Sequence, residues 1–148
     1  MSVLIQLTDA VVAKLNEGVF SESFVAVRHY RPTHELAELR DLKVSVVPKS
    51  IESSVESREL CAFDYAIDVG VQKRVTPNTP AEIDALLSLV QEIDDALRMV
   101  TLTWPVEGDE DMEAAWIASA NEPVYAPDHL AEHHVFTSVL TITYRIWR

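Results

Sequence analysis

Glycine is nearly missing from this chain, with three in 148 residues. Phosphate-cradling loops such as G-x-G-x-x-G or the P-loop need glycines at fixed spacing so that backbone N–H groups can approach the anion. Neither pattern occurs, which removes the common nucleotide-enzyme readings. Cysteine is rarer still. The single Cys61 cannot form a disulfide within the chain, which suits a reducing interior or a redox-indifferent particle. No nucleophile signature surrounds it, so a buried or idle thiol is expected. No apolar run approaches the roughly 20 residues needed to span a bilayer. The early run at residues 3–7 is too short for a signal peptide and has no basic region before it. Basic residues are also few: 12 Lys and Arg stand against 24 Asp and Glu, a formal net charge of −12. Proteins that hold nucleic acid by its phosphates draw most of that affinity from a basic face, and this chain has no such surplus. The charge suits either an ordinary solvated surface or one that passes close to an anionic polymer without adhering.

What is present is globular: 48% apolar and 24% charged residues, at a length that suits one domain over residues 1–148 with a real core. The stretch F-D-Y-A-I-D-V-G-V-Q alternates without a slip. Phe63, Tyr65, Ile67, Val69 and Val71 point one way, and Asp64, Ala66, Asp68, Gly70 and Gln72 the other, the period of a strand buried on one side. This strand is expected over about 60–75, and others at 24–30, 42–48, 116–123 and 136–147. T-P-A-E opens a long helix as a capping box, with Thr79 as N-cap, Pro80 at the first helical position and Glu82 three on. Its apolar stripe is Ile83, Leu86, Leu87, Val90, Ile93, Leu97 and Val100. A short helix over 9–17 is expected to start at Thr8 and stop at Gly18. Residues 34–41 read as a helical turn or linker, 49–59 as an exposed loop or arm, 101–115 as irregular with an acidic loop at about 105–114, and 124–134 as a linker. The expected fold is therefore α+β: an antiparallel or mixed sheet of four to five strands, with one long and one short helix packed on one face.

Chemical signatures are thin. His129 and His133 share a helical spacing, but Leu130 stands where a zincin needs glutamate. The acidic run at 108–113 lacks the ligand pattern of a calcium loop. Asp64 and Asp68 share one strand face and could act as acid and base, although exposed strand aspartates are ordinary. Arg28, His29, Tyr30 and Arg31 form a basic, aromatic cluster too small for an RNA surface. Trp104, Trp116 and Trp147 fit core or interface anchors. No catalytic residue, cofactor or metal is expected.

Several stretches taken in order carry a resemblance: L-T-D-A-V-V-A-K-L-N, F-V-A-V-R-H-Y-R-P with E-L-A-E-L-R-D-L-K-V-S-V-V-P, then Y-A-I-D-V-G-V-Q-K-R, A-E-I-D-A-L-L-S-L-V-Q-E-I, and P-V-Y-A-P-D-H-L with V-F-T-S-V-L-T-I-T-Y. Together they resemble the tail-terminator, or tail-completion, proteins of siphophages. The resemblance implies a non-enzymatic virion protein, made in the host cytoplasm, that assembles as a hexameric ring at the tail–neck junction. Its partners would be the tail-tube protein on one side and a neck or head-completion protein on the other. Double-stranded DNA would pass through without specific binding. A head-to-tail adaptor or stopper is the alternative within the same class, and a small acid–base hydrolase using Asp64 or Asp68 the distant one. On this reading Asp64, Asp68, Asp109, Glu110 and Asp111 are candidates for the lumen or an inter-subunit face. Ile51, Val55 and Arg58 would belong to an inter-subunit arm, and residues 124–134 would offer a second contact.

Overall fold

In the computed structural model, residues 2–30, 36 and 38–148 are described. Helix α1 runs Val3–Glu17 and buries Leu7, Val11 and Leu15, one residue per turn. It starts a turn and a half earlier than the capping signal at Thr8 predicts. The Thr8 hydroxyl donates to the Leu4 carbonyl at 2.7 Å, so its polar group is satisfied inside the helix and the side chain is buried. Gly18 does end α1, but with extended backbone at φ −74° rather than a left-handed one. Its lack of a Cβ matters for space: a Cβ there would lie 2.8 Å from the Phe20 ring.

Strand β1 (Ala26–Arg28) is followed by a 3₁₀ turn at Glu38–Arg40, then β2 (Lys43–Val55) and β3 (Cys61–Arg74). Helix α2 (Pro80–Leu97) precedes β4 (Leu102–Trp104), β5 (Met112–Asn121), helix α3 (Pro127–His133) and β6 (Val135–Trp147). The sheet order is β1-β2-β3-β6-β5-β4, with β1 parallel to β2 and every other pair antiparallel. The sheet curls into a half-barrel, and α1 packs against β1 and β2 near one edge and β4 at the other.

Among the described residues the sheet therefore has six strands rather than four or five, and three α-helices rather than two. The extra strand, β4, is three residues long and sits in a stretch expected to be irregular. It exists because Leu102 is buried and because it pairs with the start of β5. The extra helix, α3, occupies the expected linker at 124–134 and lies against β6. The segment at 49–59 is mostly strand. β2 and β3 remain paired out to Val55 and Cys61, and the turn closes with Glu56 and Ser57 N–H groups donating to the Leu60 carbonyl at 3.0 Å each. The strand expected at 24–30 keeps only three residues, and of the predicted turn at 34–41, positions 34, 35 and 37 lie outside the described residues.

α2 closes the core as its stripe predicts, with Leu89 joining Leu86, Val90, Ile93 and Leu97 in full burial, while Ile83, Leu87 and Val100 flank them half-buried. The reciprocal capping box is not formed. Thr79 makes no side-chain cap bond, and Glu82 instead accepts from the Thr76 N–H at 2.6 Å and the Thr76 hydroxyl at 3.2 Å. The carboxylate thus ties the strand-to-helix turn to the positive end of the helix dipole. Glu82→Ala should lower stability by about 0.5–1 kcal/mol in urea unfolding, with the m-value unchanged.

Candidate functional site

The two aspartates of β3 lie on the face of the sheet opposite Tyr65, Ile67 and Val69, and their neighbours come from β6 and β2. Register places Asp64 opposite Arg145 and Asp68 opposite Thr141. The Arg145 guanidinium grips Asp64 with two bonds, 2.7 Å and 3.0 Å, a fork matched to a carboxylate. Those bonds hold the Asp64 carboxyl below its usual range. Asp68 accepts from the Thr141 hydroxyl at 2.5 Å and lies 3.6 Å from the Lys49 ammonium. Alternation in one strand shows the acids but not the cations, since Arg145 is 81 residues away in sequence and Lys49 reaches in from the neighbouring strand.

These pairings change what the face can do. A carboxyl held ionised by a bidentate arginine is poor at donating a proton, and Asp64 and Asp68 each have their own partner rather than each other. A surface hollow of about 470 Å³ sits elsewhere, against β1, lined by Val27, His29, Glu38, Leu42 and Lys43 among others. Neither aspartate lines it. Tyr144 is a buried titratable group, and burial together with the Asp94 carboxylate pushes its phenol well above the ordinary range. It stays protonated at neutral pH and serves the core as a ring. His129 and His133 do sit together on α3, but the His129 Nδ1 lies 2.9 Å from the Thr137 hydroxyl and His133 faces Glu132 at 3.9 Å. Among the described residues, no three His, Cys, Asp or Glu side chains converge as a ligand set.

The remaining candidates gather at one end of the sheet. Ala62 pairs with Trp147 and Ala115 with Arg145, so the starts of β3 and β5 and the finish of β6 lie side by side. The β2–β3 turn and the β4–β5 loop both project from that end. The loop carries Glu107, Asp109, Glu110 and Asp111 around a turn that Gly108 makes at φ +77°, Glu113 follows at the start of β5, and all five acids are exposed. No described cation pairs with any of the five. Asp109, Glu110 and Asp111 are thus bare charge, whereas Asp64 and Asp68 are compensated.

The hairpin beside that loop is amphipathic. Ile51, Ser53 and Val55 lie opposite Tyr65, Phe63 and Cys61, on the helix-bearing side of the sheet but beyond the helices. Ile51 is 50% exposed and Val55 80%. Arg58 is exposed in the turn, and the Arg148 guanidinium stacks 5.5 Å from the Phe63 ring close to that turn. Of the basic cluster near β1, Arg28 is bound to Asp9 by two 2.9 Å bonds, and Arg31 lies outside the described residues. Trp104 donates to the Gln6 side chain at 3.0 Å, Trp116 packs against the core and Trp147 is about half exposed.

No protein-family model matches the chain, and no curated protein matches it. No described helix is long and apolar enough to cross a membrane.

Proposed function

We propose that this chain is a structural subunit that closes into a ring at the head-proximal end of a phage tail tube, as a tail terminator. The observation that carries the proposal is the concentration of uncompensated acid at one end of the sheet, the same end at which the amphipathic β2–β3 hairpin turns. The resemblance of its ordered sequence stretches to those of tail-completion proteins supports it as well. A ring through which duplex DNA slides must not hold phosphates, and a lining of carboxylates repels them over a Debye length of roughly 8–10 Å. The lumen role belongs on Asp109, Glu110 and Asp111 rather than on Asp64 and Asp68, whose charges Arg145 and Lys49 compensate. Ring contacts of this kind are heterologous, one patch meeting a different patch on the next copy.

Electron microscopy of the purified assembly tests the proposal. The expected image is a sixfold ring with a central opening wide enough for duplex DNA, about 20 Å across or more. In the triple variant Asp109→Lys, Glu110→Lys, Asp111→Lys, rings should retain duplex DNA in a salt-sensitive way, while unaltered rings do not. A chain that never forms rings, in particles that join heads to tails normally without it, overturns the proposal. A neck adaptor would give a ring bound to heads rather than to tubes.

A further inference from the structure

We infer that the outer edge of the β2 arm is a pairing site for the same edge of a second copy, joined antiparallel about a twofold axis at Ser53. The edge divides sharply. In an antiparallel ladder, residues alternate between those bonded to the neighbour and those whose N–H and C=O point away. Next to the turn the Cys61 N–H and C=O are both bonded to Arg148, at 2.8 and 2.9 Å, so they point away from β2. Its cross-strand partner Val55 must then point its own groups outward, and by alternation so do Ser53 and Ile51. The same parity holds beyond the bulge, where the Val46 carbonyl faces outward and accepts from the His29 N–H at 3.0 Å.

Along that outer edge, Val44 and Val46 are covered by β1. Next comes Pro48, which has no N–H to offer, and then the register shift between Pro48 and Ser50 that leaves Lys49 bulged. Proline, lysine and a bulge are the usual devices that keep a strand edge from recruiting another strand. They stop at Lys49. From Ser50 to Val55 the register is unbroken, and Ile51 and Val55 stand exposed on the very residues whose backbone groups face outward.

The occupant follows from the sequence of the edge itself, I-E-S-S-V. Centred on Ser53, an antiparallel copy places Ile51 opposite Val55 twice, Ser53 opposite Ser53, and Glu52 opposite Ser54, so that no two carboxylates stand directly opposite each other. All three outward N–H groups of each copy then donate across the axis. Centring on Ile51 would run the partner into Pro48 and Lys49, and centring on Val55 would run it into the turn. The contact is isologous and uses up both edges, so it stops at two copies. Neighbours in a sixfold ring are not related by a twofold axis, so the pair describes the subunit outside the ring, with its arm withheld. The inference stands apart from the terminator proposal, because it concerns two copies rather than six.

Sedimentation of the full chain over a concentration series tests it. The expected result is a reversible, weak dimer, as befits a small contact area. Ser53→Pro removes an outward N–H from each copy and no bond within the hairpin. It should weaken dimerisation about thirtyfold while circular dichroism and Tm stay unchanged. Ser53→Lys and Ser53→Glu should each self-associate less than the parent, and an equal mixture should recover a heterodimer, because position 53 faces its own copy. A parent chain monomeric throughout, an unaffected Ser53→Pro dimer, or a mixture that fails to recover would each overturn the inference.

Discussion

Phe136→Ala is expected to lower folding stability by about 3–5 kcal/mol, seen as a drop in urea midpoint with an unchanged m-value. Phe136 is fully buried and begins the run of core residues on β6, the strand that pairs with both β3 and β5. Truncation there loses the transfer energy of the ring and leaves a void that β3, paired at Lys73, and the surrounding core cannot collapse into. Against a total stability of about 5–15 kcal/mol, a loss of that size leaves a detectable unfolded fraction at growth temperature. Phe136→Leu, which keeps most of the volume, should cost much less. A loss below about 1 kcal/mol for the alanine variant would mean that this end of the core is loosely packed.

Asp64→Asn should cost about 1–2 kcal/mol at pH 7, and the cost should disappear in acid. The Arg145 bonds lower the Asp64 pKa from its ordinary 3.8, so the folded state binds this proton less readily than the unfolded state. The stabilisation is accordingly complete above the unfolded value and is lost as pH falls through the lower, folded one. The difference between parent and variant should be flat from neutral pH down to about pH 5 and close below about pH 4. An unchanging gap down to pH 2 would show that shape rather than charge is responsible. Asp68→Asn, which loses only a hydroxyl bond and a half-exposed lysine 3.6 Å away, should cost less than Asp64→Asn at pH 7.

Much of the fold was legible where periodicity is long and two-sided. β3 at 61–74, β6 at 135–147 and α2 at 80–97 each declare a buried face across ten or more residues. Elements that owe their form to a partner were not legible. Ser50 to Val55 alternates only weakly, and its extended form is imposed by pairing with β3. β4 is three residues long and α3 seven, below the length at which a pattern separates from chance. The first turns of α1 were missed because Thr8 and Asp9 form a plausible helix start, and nothing in the sequence shows that the Thr8 hydroxyl turns back to Leu4. The candidate site was half legible for a similar reason. Local sequence displays Asp64, Asp68 and the acidic loop, but the arginine and lysine that quiet the first two arrive through strand order.

β6 lies between β3 and β5, yet it is the last of the six strands to be synthesised. Until β6 has emerged from the ribosome, the nascent chain can hold β1–β3 and β4–β5 only as separate half-sheets, each with an apolar strand edge open where β6 will insert. Closure of the sheet therefore waits for β6, and its pairing with β3 joins Asp64 to Arg145, 81 positions apart in the chain.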